Sequence, residues 1–364
     1  MADYKIEHID TKRWGIGNYP CSSAQDGSRL LVCAGDNGGG YVLRTEDCGE
    51  TWSQFRDIRR RGDFKRLADG SYITFGFHSA VEKCIDPEIQ DKIPYILEIG
   101  RAANYDAVAA GNIQREFTPV DIPDLAVGYG DSGDKSNYFT GCMASGIIQL
   151  ENGDIIVSMY GQFKSDKSKL DYFTNYDFYQ YRTWCIISHD NGKTFEYLST
   201  VADCGTYPVP DAEGYCESDL LYLGDGHILC AMRTQGHEVY TPMFFSHSYD
   251  SGKTWSKPEQ LNPYGVLPRL IRMDCGAVVC ASGKWDTFLL LSGDGGKNWS
   301  KPYVIAENDG QWDRGPSGYV TVAQTEPDIL TVVYDTTEDK VSDDIVPGER
   351  RIVYISRYRI SKAD

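Results

Sequence analysis

The stretch SYDSGKTW (248–255) has near-copies at three other places in the chain, TEDCGETW (45–52), SHDNGKTF (188–195) and SGDGGKNW (292–299). Four copies of one short phrase are either four sites or four structural parts. A catalytic site is normally single, and the residues themselves suit a turn. Asp and Ser or Thr can hydrogen-bond the local backbone, and Gly accepts a positive φ. The terminal Trp or Phe then supplies a plug for an apolar gap. The phrase is read as a repeated structural part.

A second phrase runs between the copies, in which a two-residue turn separates two apolar stretches. It appears as SSAQDGSRLLVCA, FKRLADGSYITFGF, GIIQLENGDIIVSMY, LLYLGDGHILCAMR, LIRMDCGAVVCASG and VTVAQTEPDILTVVYD. Asp-Gly or Asn-Gly between β-branched runs signals a hairpin. Further strand-like sequence follows each hairpin, giving six units of about four strands. Six such units predict an all-β chain, a six-bladed β-propeller forming a single domain over 1–364. The alternative, a pair of β-sandwiches, leaves the shared phrase unexplained. The Asp phrase falls on the turn between third and fourth strands, its aromatic residue filling the space between blades. The second and last units lack it. The opening strand YKIEHIDT is expected to complete the last blade.

The phrase resembles the Asp-box (BNR) repeat of the sialidase superfamily, whose members are six-bladed propellers, and the likeness covers essentially the whole chain. Asp boxes mark the fold strongly and the chemistry weakly, since other enzymes and binding proteins carry them.

Hairpin geometry locates the functional face. The residues eight before and eight after each turn should ring the channel mouth, on the face opposite the Asp boxes. Eight before come Asn18, Arg61, Ala144, Glu217, Leu267 and Tyr319; eight after come Ala34, Phe77, Tyr160, Arg233, Gly283 and Asp335. Asp36, His78, Gln162, Lys284 and Asp286 lie just beyond. YCESDLLYLGDGHILCAMRT (215–234) resembles the sialidase segment in which a Glu opens the inner strand and an Arg ends the next, matching Glu217 and Arg233. Tyr319 falls where the family has its nucleophilic Tyr, and Asp36 lies on the loop that carries the family's acid/base Asp. The resemblance thus implies catalysis by Tyr319, Glu217 and Asp36, with Arg233 gripping a substrate carboxylate. A phenol activated by Glu avoids the repulsion that a carboxylate nucleophile would meet at an acidic sugar. An Arg offers that sugar a bidentate grip. Asn18, Arg61, His78, Lys284 and Asp335 are the further candidates for substrate contact. Each has a plainer reading: Glu217 as a rim charge, Arg233 as its ion-pair partner, Tyr319 as channel packing, Asp36 as part of a turn.

The sequence also departs from the family. Where the family has Arg-Ile-Pro, this chain has Asn18-Tyr19-Pro20, and before the fourth box only Lys284 and Trp285 stand where a third Arg belongs. Arg61, Arg269 and Lys284 are candidates for a different cationic pocket. Segments 125–141 and 162–182 look added, the second rich in Tyr and Phe. They suit a sugar-stacking wall or a packed lid equally.

Net charge −17 argues against nucleic acid and anionic lipid as partners. No run of 18 apolar residues appears, so no membrane span is expected. The eleven Cys are scattered, several inside apolar runs, with no CxxC pair. Free thiols, a cytoplasmic location and no structural metal are expected, and MADYKIEHIDTKRW has charge where a secretion signal needs an apolar core. The expected function is hydrolysis of a terminal acidic sugar with retention, without metal or organic cofactor. The alternatives are another carbohydrate-active enzyme (a lyase or a glycosidase for other sugars) and a non-catalytic glycan-binding propeller. Sequence leaves the sugar and the oligomeric state open.

Overall fold

A computed structural model describes residues 4–36, 39–57, 63–75, 96–123, 125–126, 146–163, 165–166, 180–210, 212–236, 242–284, 286–308, 315–337 and 351–363. The chain divides into two compact units, Met1–Phe64 with Tyr264–Asp364, and Lys65–Pro263.

The first unit opens with β1 (Tyr4–Ile16) and blade one, built from β2 (Asn18–Asp26), β3 (Arg29–Asp36), β4 (Gly39–Thr45) and β5 (Ser53–Asp57). Blade two is β6 (Phe64–Arg66), β7 (Tyr72–Phe75), β8 (Ile96–Ala102) and β9 (Gln114–Asp121). After β10 (Leu125–Ala126), blade three is β11 (Ile147–Gln149), β12 (Ile155–Phe163), β13 (Arg182–Ser188) and β14 (Phe195–Ala202). Blade four is β15 (Ala212–Gly224), β16 (His227–Gly236), β17 (Met243–Ser248) and β18 (Glu259–Asn262). The chain then returns to the first unit for blade five, β19 (Arg269–Arg272), β20 (Val278–Ser282), β21 (Thr287–Ser292) and β22 (Tyr303–Ala306). Blade six is β23 (Thr321–Glu326), β24 (Ile329–Thr337) and β25 (Arg351–Lys362), with β1 hydrogen-bonded along β25 as its fourth strand. The six hairpins read from Asp-Gly and related turns are the first two strands of the six blades, and the fold is an all-β propeller of six antiparallel blades.

Each blade has two faces to bury, and the apolar clusters lie between neighbours. In the second unit, Phe75, Leu97 and Ile99 of blade two meet Val157, Trp184 and Ile186 of blade three. Ile148 and Ile156 of blade three meet Leu220, Ile228 and Met232 of blade four. In the first unit, Val279 and Leu289 of blade five meet Leu330 and Val332 of blade six. Leu30 and Leu43 of blade one meet Val333 and Ile355 of blade six.

All four Asp boxes occupy turns between third and fourth strands. In the second of them Asp190 accepts from Thr194 N (2.9 Å) and Thr194 Oγ1 (2.6 Å), and Gly192 N donates to Ser188 Oγ (2.7 Å). The residue before the Gly also takes a positive φ, as at Asn191 (60°) and Ser251 (61°), so the turn has two successive left-handed residues. In three of the boxes the Gly carbonyl meanwhile accepts from the preceding blade. Lys12 Nζ reaches Gly49 O (3.1 Å), Arg101 Nη2 reaches Gly192 O (2.7 Å) and Ser199 Oγ reaches Gly252 O (2.5 Å). Trp52, Phe195 and Trp255 pack into or against the inter-blade clusters, as expected of plugs.

The two blades without a box have physical reasons. In blade six the third strand is β25 and the fourth is β1, so no turn joins them. In blade two a short helix, α1 (Tyr105–Ala109), replaces the turn, with the Asn104 side chain accepting from Ala107 N. Blades two and three also differ from isolated four-stranded sheets. Their outer strands pair in parallel at Phe195–Val120 and Glu196–Asp121, merging them into one nine-stranded sheet. The nine described cysteines are all free.

The box carboxylates carry a pH signature. Burial works against charge on Asp190, but bonds from Thr194 and Ser188 outweigh it and bring its pKa from 3.8 to about 2. Asp47, Asp250 and Asp294 are lowered as well. A carboxylate with a depressed folded pKa stabilises the fold above its unfolded value and loses that contribution as pH falls through the folded one. Melting temperature should therefore drop between about pH 4 and pH 2, and calorimetry of Asp190→Asn should show a shallower drop. Parallel curves for the two proteins would count against the box as the origin.

Candidate active site

Blade four brings Glu217 and Arg233 together. The β15–β16 ladder pairs Cys216 with Arg233 and Ser218 with Met232, which leaves Glu217 as the extra residue of a bulge, at φ 30°. A bulge re-aims the side chain it carries. Arg233 Nη1 donates to Glu217 Oε2 at 2.7 Å, and the residues are 5% and 6% exposed. They sit at the end of the blade remote from its Asp box. Ile228 is paired with Ser248 of the box turn, whereas Arg233, five residues further along β16, is paired with Met243. That separation is about 17 Å along the strands.

The chain entering β15 is fixed from the side. Tyr181 N donates to Glu213 O (2.7 Å) and Tyr215 N donates to Tyr181 O (3.0 Å). A Cβ on Gly214 (φ 109°) would fall 2.2 Å from Tyr181 O, so only glycine permits this approach. Tyr160 packs edge-on against Tyr181, with ring centroids 5.1 Å apart.

In the first unit, Asp335 organises the corresponding ends of blades one and six. It is 1% exposed. Its oxygens accept from Tyr19 N (2.6 Å), Ser317 N (2.8 Å) and Ser317 Oγ (2.9 Å), with Arg351 Nη1 at 3.3 Å. Burial raises its pKa, against the pull of Arg351. Ser317 Oγ accepts in turn from Tyr319 N (3.3 Å), and the Tyr319 ring meets Tyr19 edge-on at 5.1 Å. Asp335, proposed for substrate contact, thus directs both oxygens to the protein and holds the backbone around Tyr19 and Tyr319. Tyr19 itself stands 40% exposed at φ 50°.

Asn18 opens β2, its Oδ1 shielded from solvent and without a hydrogen-bond partner among the described residues. Lys284 is partly buried at φ 67°. It follows Gly283, on which a Cβ would fall 2.3 Å from Gly318 Cα, so blades five and six touch by backbone there. Arg269, weighed for a cationic pocket, is buried and committed to structure. It pairs with Asp63 and donates to the carbonyls of Cys21 and Val320. Asp36 closes β3 opposite Gly39, but its side chain lies outside the described residues, as do Arg61 and His78. Glu217 and Tyr319 belong to different units, each described within its own. Sequence reading missed Tyr19, Ser317 and Arg351; the one available signal was the Tyr beside Pro20. Among the described residues no group of three or more His, Cys, Asp or Glu is placed to hold a metal ion.

Blade five also has a left-handed residue at the matching position, Leu267 (φ 32°) in place of Glu217, with Gly283 in place of Arg233. A positive φ at this position therefore does not require the charge pair. Removing one partner leaves a buried uncompensated charge, so Arg233→Ala and Glu217→Ala should each cost about 3–5 kcal/mol in urea denaturation. The double variant Glu217→Leu, Arg233→Met should recover most of that loss. Additive losses would show that the two residues do not act as a pair.

Comparison with known proteins agrees with this architecture. The family model described as BNR repeat-like domain matches residues 132–330, more than half of the chain. No curated protein matches it significantly. Among solved structures, a protein of unknown function from Dyadobacter fermentans is 14% identical with a TM-score of 0.63, covering 98% of this chain and 99% of its own. NanB sialidase of Streptococcus pneumoniae is 13% identical with a TM-score of 0.56, covering 96% and 70%. An alpha-L-arabinofuranosidase of Fusarium graminearum is 11% identical with a TM-score of 0.55, covering 95% and 97%. At these identities the likeness speaks for the fold alone. From its repeats, its six blades and the matching family model, the chain belongs to the BNR repeat-like family, with a sialidase-like propeller fold.

Proposed function

We propose that the protein is a glycoside hydrolase that removes a terminal acidic sugar at the end of blade four where Glu217 and Arg233 meet. One observation carries the reading: a buried Glu–Arg pair on a bulge of blade four, whose left-handed Glu217 is matched in blade five by the uncharged Leu267. A residue held at an unfavourable φ persists only where its surroundings impose it, and such places concentrate at working sites. The sialidase and the arabinofuranosidase with this fold add support, since both are glycosidases.

The chemistry follows the residue types. Tyr319 Oη attacks the anomeric carbon while Glu217 accepts the phenol proton. The bond to the leaving oxygen breaks as Asp36 protonates it. Water then attacks the tyrosyl adduct and gives one proton to Asp36, the bond to Tyr319 Oη breaks, and Glu217 returns its proton to the departing phenolate, with net retention. Arg233 grips the sugar carboxylate. The scattered thiols favour a cytoplasmic enzyme, and this chemistry needs neither metal nor organic cofactor.

A second reading keeps the hydrolase but changes the sugar to one without a carboxylate. It is favoured by Asn18 and Lys284 standing where the pattern has Arg, and by the commitment of Arg269 to Asp63. These leave Arg233 alone among the three Arg positions of the sialidase pattern.

Fluorogenic α-sialoside and α-L-arabinofuranoside reporters separate the two. Turnover of the sialoside is expected, falling about 10²–10⁴-fold in Glu217→Gln and by orders of magnitude in Tyr319→Phe, with the melting temperature of the Phe variant unchanged. Turnover of the neutral reporter alone favours the second reading. A Tyr319→Phe variant with full activity removes the nucleophile, and no turnover of any glycoside sinks both readings.

A further inference from the structure

The Asp-box end of blade four carries three aromatic side chains that its turn does not need. Tyr249 is the second residue of SYDSGKTW, and the other boxes have Glu46, His189 and Gly293 there. His247 precedes the box, where the others have Arg44, Ile187 and Leu291. His227 lies across the sheet from it, and blade five has Ala277 at that place. The turn geometry is the same in all four boxes, so the rings of blade four serve something other than the turn.

The rings form an ordered stack. Tyr249 lies over His227 with centroids 4.5 Å apart and planes 23° apart, and is close to parallel with His247 (17°, 5.9 Å). His227 Nε2 and His247 Nδ1 share a hydrogen bond of 2.9 Å, so one nitrogen donates and the other accepts. Phe245 backs His247 edge-on at 5.5 Å. The outermost ring, Tyr249, is 58% exposed, whereas His247 is buried. An aromatic side chain backed this way presents a fixed face to solvent.

That face borders a pocket of about 330 Å³, whose walls are His247, Tyr249 and Trp255, with Asp250, Thr254 and Ser256 around them. The volume lies at the lower end of the range for small-molecule sites, enough for about one or two sugar rings. Aromatic faces bounded by hydroxyl groups are the surroundings that a pyranose or furanose ring takes, with its C–H face on the ring and its hydroxyls at the rim. Asp250 stands in the lining and the chain carries a net charge of −17, which disfavours an anionic ligand. The two imidazole nitrogens bond each other, and among the described residues no third metal ligand joins them.

We propose that this pocket is a second, non-catalytic binding site for a neutral sugar ring, at the end of blade four remote from Glu217 and Arg233. It would hold a glycan chain on the protein independently of the sugar processed at the other end. The proposal does not rest on the hydrolase reading.

Native gel electrophoresis of the full chain in gels containing arabinan, galactan, xylan or glucomannan tests it. At least one of these should retard the protein. Tyr249→Ala and Tyr249→Glu should weaken that binding about tenfold or more, and Tyr249→Phe should preserve it. The Glu variant places in this box the residue of the first box, so a melting curve should confirm that it folds. If it does not, Tyr249→His, the residue of the second box, provides the same comparison. Glu217→Gln should be retarded like the parent. No retardation in any gel, retardation that survives Tyr249→Glu, or retardation lost in Glu217→Gln would each overturn the site.

Discussion

The carbonyl oxygen of one glycine in each of three Asp boxes governs how neighbouring blades meet. A blade is a small twisted sheet with two apolar faces, and burial alone does not specify its rotation against the next sheet. The glycine carbonyl does so by accepting a hydrogen bond from the blade before it, seen at Gly49, Gly192 and Gly252. The donors are chemically unrelated (a lysine, an arginine and a serine), so the acceptor is the constant part. Everything else in the phrase keeps that carbonyl in place. Asp and the hydroxyl residues close the turn internally, two left-handed residues aim it, and the aromatic residue fills the gap beneath.

With the blades so fixed, their opposite ends are free to vary in chemistry. Blades four and five share a left-handed residue at this place and give it opposite content, a Glu–Arg pair in one and Leu267 with Gly283 in the other. In the first unit, Asp335 spends a buried carboxylate on backbone amides, which holds Tyr19 and Tyr319 in contact. The division of labour is local: the box turns set geometry, and the opposite ends of the blades hold the Glu217–Arg233 pair and Asp335.

Much of the fold was legible because its punctuation is local. Asp-Gly turns and Asp boxes specify backbone geometry within a few residues, so the hairpins and the third turns could be located from the string. Helix α1 was missed, although Asn104 as a cap and Gly111 beyond its end were present in AANYDAVAAGN. The pairing of Glu217 with Arg233 was legible because a hairpin register links them. The role of Asp335 was not, since its partners include the backbone amides of Tyr19 and Ser317, and amides leave no trace in a sequence. Arg269 shows the same limit, because its acidic partner lies 206 residues away. Side chains that serve distant backbone look like spare charges until the fold is known.

The pairing of β1 with β25 has a further consequence, in the order of assembly. The second unit is one continuous stretch, Lys65–Pro263, whereas the first is made of Met1–Phe64 and Tyr264–Asp364. On a ribosome the chain emerges from its N-terminus, so the second unit is complete before the later half of the first exists. Until then β1 is a long strand with an open edge and no partner, the condition in which strands find wrong ones. Its partner residues, such as Ile360 for Ile6, arrive more than three hundred residues later. By then the intervening blades can already be folded, and a compact segment shortens the loop that must close. The charges on β1, Lys5, Glu7, Lys12 and Arg13 among them, then act as guards of a waiting edge as well as partners in the finished sheet.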